Sequence, residues 1–169
     1  AQAGLEAVQE EMRRDAKVFY MSTDAILPLA KEFGTERMRS TPIAESAMTG
    51  MSIGAAGSGY RPICDWRQVT FCFVAMDQIV NQAAKHRYMS GGQARVPLVI
   101  RTTSGLGKGV AAQHSQSLGA WFAHVPGLRV ALPSTPADAK GLLKAALRGE
   151  DPVIFLEPKL LYQVEGPVP

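Results

Sequence analysis

Short apolar runs separated by helix-length stretches restrict this chain more than any other feature. The runs lie at 18–21, 61–66, 96–101, 128–133 and 152–157. They are mostly apolar, which is the pattern of strands covered on both faces; a strand with one wet face alternates instead. Between them the spacing changes to that of helices. Leu5, Val8 and Met12 recur at three and four residues and predict a first helix ending near Arg14 and Asp15. Residues 26–33 predict a second, which Gly34 stops. Ile79, Val80, Ala83 and Ala84 face away from Asp77, Asn81 and Lys85, predicting a helix over 77–88. Thr135 and Pro136 open a last helix with a capping residue and a first-turn proline. Strands alternating with helices predict an α/β fold, doubly wound, with a mainly parallel sheet and helices on both faces. Ligands of such sheets bind beyond the carboxyl ends of the strands, which directs attention to 22–25, 67–73, 102–116 and 134–136.

A chain of 169 residues, 46% hydrophobic and 20% charged, is the size and composition of one globular domain with a real core. The net charge of +3 is scattered, with no basic run longer than Arg13-Arg14, so nucleic acid is not an expected partner. Residues 40–60 carry too much Ser, Thr and Gly, with Glu and Pro among them, to predict a membrane span. The first dozen residues lack the basic flank and apolar stretch of a signal peptide; with no targeting segment visible, the expected compartment is a bacterial-type cytoplasm. Cys64 and Cys72 have no partner cysteine or neighbouring histidine in a metal-ligand pattern and are expected to be reduced thiols. The segment 163–169 reads as the start of a linker to a further domain, leaving 1–162 as the domain itself.

Between Arg39 and Arg61 the only carboxylate is Glu45, at the head of a stretch that predicts an apolar helix. Desolvation there disfavours the charged form unless a partner is supplied, and so marks a possible site. A solvated carboxylate favoured by the helix dipole is the equally good plain reading. Ser46, Gly50, Gly54 and Ser58 form a stripe of small residues on that helix. Each glycine weakens a helix by about 1 kcal/mol relative to Ala, so close packing along the stripe is expected. The glycine-rich segment 105–109 invites a phosphate-loop reading but lacks the Ser or Thr that must follow Lys108. Of three histidines, His86 reads as surface and His124 as a helix end, leaving His114, just after the glycine-rich segment, as the candidate for acid–base work. Phe71, Phe73 and Trp66 are by default core aromatics.

Taken in order, the segments 41–46, 75–85, 88–92, 114–117, 121–128, 133–143 and 152–159 resemble the beta subunit of the thiamine-diphosphate-dependent 2-oxo acid dehydrogenase component, the pyruvate, branched-chain and acetoin dehydrogenase family. The likeness runs from about Glu10 to Pro169 and covers that subunit's N-terminal, transketolase-like pyrimidine-binding half. It implies a cofactor, thiamine diphosphate, whose aminopyrimidine meets Glu45 at N1′, stacks on Phe71 and lies in a pocket lined by Ile43. It implies that His114 faces the substrate and that Glu45 and His114 are the catalytic residues. It also implies a structural potassium ion caged by backbone carbonyls of Leu98, Ala146, Leu147, Gly149 and Asp151. The implied partners are an alpha subunit, which holds the diphosphate and Mg²⁺ through a Gly-Asp-Gly…Asn motif that this chain lacks, a second beta chain, and a dihydrolipoyl acyltransferase core reached through the C-terminal domain. The partner-facing surface is expected around the 44–58 and 77–88 helices.

Three positions depart from the family pattern. The segment 22–28 is short, Arg67 brings a charge beside the expected pocket, and Ala47 stands where Gly is usual. They keep two alternatives open, a non-catalytic assembly or regulatory module of the same fold and one half of a split transketolase-type enzyme.

Overall fold

The computed structural model describes residues 1–107 and 109–169. Six strands form a single parallel sheet: β1 (Val18–Ser22), β2 (Met38–Ser40), β3 (Arg61–Gln68), β4 (Val99–Ser104), β5 (Arg129–Ala131) and β6 (Val153–Pro158). Their spatial order is β2-β1-β3-β4-β6-β5, with every pair parallel. The chain leaves β1 toward one edge and β3 toward the other, so a crevice opens between these two strands at their carboxyl ends.

The helices α1 (Gln2–Arg14), α2 (Leu27–Arg37), α3 (Glu45–Gly57), α4 (His86–Met89), α5 (Gly119–Ala123) and α6 (Pro136–Arg148) cover both faces. On one side α1 and α6 pack Val8, Met12, Leu143 and Leu147 against Tyr20, Ile63, Val99 and Phe155. On the other, α3 and the chain after β3 pack Met48, Ile53, Cys72 and Ile79 against Trp66, Ile100 and Ile154. The inner strands β1, β3, β4 and β6 are mostly buried from both sides, which is why their sequences run largely apolar, whereas the edge strands β2 and β5 are not. Thr135 caps α6 by accepting from the Asp138 N–H at 3.0 Å while the Asp138 carboxylate returns the contact to the Thr135 N–H.

Several expectations shift. Pairing of the fourth strand begins at Val99, not 96, because Pro97 has no N–H and the Leu98 N–H turns back to the Val96 carbonyl at 2.8 Å. β2 is too short to leave a periodic signal, with only Met38 of its three residues buried. The helix expected to stop at Gly34 does so: the backbone there is non-helical (φ +71°, ψ 174°), and a further short helical turn carries the chain on to Arg37. The single helix expected over 77–88 is divided: Gln78–Ala83 is a π-helical turn, closed by the Ala84 N–H on the Ile79 carbonyl, and α4 follows. Gly127 presses on this turn; at φ +101° its added Cβ would stand 2.0 Å from the Ala84 carbonyl oxygen, so only glycine fits. The small-residue stripe of α3 is not packed inside the chain. Ser46, Gly54 and Ser58 are exposed, and only Gly50 has a close neighbour, the Gln78 amide oxygen 3.1 Å from where a Cβ would be.

Candidate functional site

Glu45 is the first residue of α3, preceded by Ala44, whose side chain offers no cap. What fixes it is a relay from the sheet. The buried Trp66 of β3 donates through Nε1 to Thr49 Oγ1 at 3.1 Å, and that hydroxyl donates to the Glu45 carbonyl at 2.6 Å. The first turn of the helix is thereby tied to the carboxyl end of β3. Glu45 is 8% exposed and lies in an open recess with Gly50, Val74 and Gln78. No hydrogen bond or ion pair to its carboxylate occurs among the described residues. A residue this little exposed whose carboxylate faces an open recess without a protein partner calls for a reason.

Phe71 belongs to a 3₁₀ stretch, Val69–Ala75, that follows β3 directly and also carries Val74 of the recess wall. His114 ends a 3₁₀ turn, Ala112–His114, in the long connection after β4. The two rings meet edge to face, centroids 5.3 Å apart at 76°. His114 Nδ1 is buried without a partner, and its backbone carbonyl accepts from Lys159 Nζ. Burial pushes the Lys159 ammonium below the ordinary lysine value. The structure therefore joins Phe71 with His114 and sets Glu45 on the recess reached from the same 3₁₀ stretch.

Ile43 is 81% exposed and lies just before α3, off the recess wall. The carbonyls named for potassium gather at the amino ends of β4 and β6. There Leu98 accepts from the Val153 N–H at 2.9 Å, Ala146 from the Gly149 N–H at 3.2 Å, and Leu147 and Gly149 from Arg61 Nη1 at 3.1 and 2.6 Å. The cation these last two face is a guanidinium, itself paired with Glu150 at 2.6 Å. Lys108 of the glycine-rich loop lies outside the described residues. Arg67 takes a left-handed backbone at φ +69°, held by its N–H on Asp65 Oδ1 and by Thr103 Oγ1 on its carbonyl. Its side chain crosses the β1–β3 crevice to pair with Asp24 at 2.8 Å, so its charge is matched. His86 and His124 are both exposed, and His124 caps α5.

Sequence reasoning missed Thr49, Gln78 and Lys159. The first two are invisible without knowing which helix face meets β3. Lys159 had a signal, since it directly follows a strand, and the segment after β6 belongs beside the four singled out. Among the described residues no helix is long and apolar enough to cross a membrane, and no cluster of His, Cys, Asp and Glu could hold a metal ion.

The family described as "Transketolase, pyrimidine binding domain" matches residues 1–165. Among curated relatives, the mitochondrial pyruvate dehydrogenase E1 component subunit beta of Caenorhabditis elegans is 46% identical over 96% of this chain and 49% of its own length. The pyruvate dehydrogenase E1 component subunit beta of Rhizobium meliloti is 47% identical over 97% of this chain and 38% of its own. The 2-oxoisovalerate dehydrogenase subunit beta of Bacillus subtilis is 47% identical over 96% and 53%. This chain thus spans about half the length of the curated relatives it matches, and they include mitochondrial as well as bacterial proteins. Among solved structures, a split gene transketolase, described as an inactive beta4 tetramer, superposes with a TM-score of 0.76 at 21% identity over 94% of this chain and 50% of that one. The transketolase from Leishmania mexicana gives 0.76 at 16% over 94% and 25%. At such identities the likeness shows the fold.

Proposed function

This chain belongs to the family of transketolase pyrimidine-binding domains, and we propose that it supplies the pyrimidine half of a thiamine-diphosphate site in a 2-oxo acid dehydrogenase, as part of the beta chain. The observation that carries the reading is Glu45, a residue only 8% exposed whose carboxylate opens on the recess and meets no partner among the described residues. Such a group fits a ligand that brings its own hydrogen-bond donor, as a protonated ring nitrogen does. Thiamine diphosphate, when bound, supplies the electron sink for decarboxylating a 2-oxo acid. The chain's own residues do the rest. Glu45 holds a proton at the ring nitrogen and fixes the tautomer of the aminopyrimidine. Phe71 offers an aromatic face to the ring. His114, its Nδ1 shielded and free, is suited to hold or move a proton at the substrate's oxygen.

The diphosphate and Mg²⁺ fall to an alpha subunit. The exposed Met51, Val74 and Tyr88 on and around α3, the 3₁₀ stretch and α4 suit burial against partner chains, a second beta chain among them. Residues 163–169 would lead on to the remainder of the beta chain, through which an acyltransferase core is engaged. A structural potassium ion at the corner of Leu98 and Gly149 would show as a higher Tm in potassium than in sodium at equal ionic strength.

The test is calorimetry of thiamine diphosphate binding to the full-length beta chain with and without its alpha chain, together with turnover of the Glu45→Gln complex. Binding in the pair alone, and a loss of turnover by about two to four orders of magnitude, is the expected result. Near-normal decarboxylation by Glu45→Gln would remove the catalytic reading and leave the assembly module in its place.

A further inference from the structure

Lys159 has no part in the site as proposed, yet it touches the loop that carries His114 at two separate points. It opens the short turn Lys159–Leu161 immediately after β6, so its Cα is anchored to the sheet. Its ammonium donates to the His114 carbonyl. Its stem lies along Gly107 on the other arm of the same loop: a Cβ added there would stand 2.8 Å from Lys159 Cδ and 3.7 Å from Lys159 Cβ. Among the described residues, the loop's remaining bonds near His114 are internal to it. Ser115 Oγ donates to the Ala111 carbonyl at 2.7 Å, the Ser115 N–H to Ala112 at 3.3 Å, and the Gly105 N–H to Gln116 at 2.9 Å. These close the loop on itself without tying His114 to the sheet. The ring makes its edge contact with Phe71 and leaves Nδ1 unbonded, so the ring fixes nothing by hydrogen bonding.

We propose that Lys159 is a positioning residue for His114, holding the histidine-bearing loop at the carboxyl edge of the sheet through the His114 carbonyl and the backbone at Gly107. The reaction this serves rests on the role given to His114 above; the positioning itself does not. Lysine suits the task because its stem packs while its head donates, and burial makes the bond worth more than it is in water. Without it the loop keeps its internal bonds but loses its link to β6, and the imidazole is no longer held where Phe71 meets it. A displacement of about 1 Å at a catalytic group can cost a hundredfold in rate.

The experiment compares Lys159→Met, Lys159→Arg and Gly107→Ala in the full-length beta chain assembled with its alpha chain. Carbethoxylation by diethyl pyrocarbonate, read peptide by peptide in the mass spectrometer, follows each histidine separately. In Lys159→Met, His114 should react several times faster while His86 and His124 keep their rates. Turnover should fall by about ten- to a hundredfold with KM for the 2-oxo acid unchanged. Lys159→Arg, which keeps a donor, should restore both readings. Gly107→Ala, which drives a methyl group into the lysine stem, should reproduce the faster His114 reaction from the other side. Unchanged His114 reactivity in Lys159→Met, or an equal rise at all three histidines, overturns the proposal. If His114→Asn leaves turnover intact, the site reading fails, while a Lys159-dependent His114 reactivity still upholds the positioning.

Discussion

Two groups of polar side chains sit near the carboxyl edge of this sheet, on opposite faces, and they are built by opposite rules. On the α1 face, Arg101 of β4 grips Glu157 of β6 with three hydrogen bonds of 2.9–3.1 Å and donates to the Tyr20 hydroxyl at 2.9 Å. Tyr20 in turn donates to Asp65, and Tyr162 to Glu157 at 2.7 Å. The network closes: Arg101 and Glu157 neutralise each other, Asp65 accepts from the Tyr20 hydroxyl and the Arg67 N–H, and each hydroxyl has a partner. Burial and the neighbouring carboxylates push the phenols of Tyr20 and Tyr162 well above the ordinary tyrosine value, so both remain donors. On the α3 face, His114 Nδ1 is buried with no partner, and the Glu45 carboxylate opens on a recess with no partner among the described residues. A group of the first kind specifies the fold. One of the second kind costs the folded state free energy that only a ligand returns, and that is how the two are told apart without activity data.

The contrast is sharpest if each side is cut. Arg101→Met leaves Glu157 buried with only the Tyr162 hydroxyl and no counter-charge, which should lower stability by about 3–5 kcal/mol and Tm by roughly 10 °C for a domain of this size. A loss below about 1 kcal/mol in urea unfolding would mean that water already reaches the pair. Glu45→Gln should behave in the other sense. With no partner lost and a charge removed from a nearly buried site, Tm should hold or rise by about 1–3 °C. A fall of several degrees would show that the carboxylate is paired in solution and that the two regions do not differ in kind. The thiols on the α3 face give a smaller contrast. Burial pushes Cys64 and Cys72 up to about 12, so neither should react with a maleimide at neutral pH in the folded chain.

The closed network and the open site were not equally legible from sequence. The sheet was, because strands covered on both faces leave unbroken apolar runs, and all five runs read as strands are strands. What blurred were places where the backbone departs from its period. Pro97 delayed β4, the π turn at 78–83 divided a helix whose apolar face was read correctly, and β2 is three residues long. Glu45 stood out because a lone acid in an apolar stretch is conspicuous, and its burial at the head of α3 agrees with the expected helix start to within a turn. Arg101 and Glu157 did not stand out at all. Each looks like an ordinary charged residue at a strand end, and only the parallel register that sets Arg101 beside Phe155 and Thr103 beside Glu157 brings them together. Pair partners far apart in sequence carry no local mark, and the same holds for Lys159 and His114.

A third charged region separates burial from pairing, and its effect should be the smallest. Glu10 on α1 meets Lys144 and Lys140 on α6 at 2.6 and 2.9 Å, where all three side chains remain partly wet. Hydrogen bonds from Lys144, then Lys140, hold the Glu10 carboxyl down at about 2. A carboxylate whose folded value lies below its unfolded one stabilises the fold fully above the unfolded value of 4.5, and that contribution disappears as pH falls toward 2. Because water and salt screen an exposed pair, the amount is modest and shrinks as ionic strength rises. Stability between pH 4.5 and 2 should therefore fall less steeply in Glu10→Gln than in the parent chain, and the difference should fade in molar salt. The Arg101–Glu157 network, far less exposed, should keep more of its effect in the same salt. Equal salt sensitivity of Glu10→Gln and Arg101→Met would show that burial does not divide these two regions.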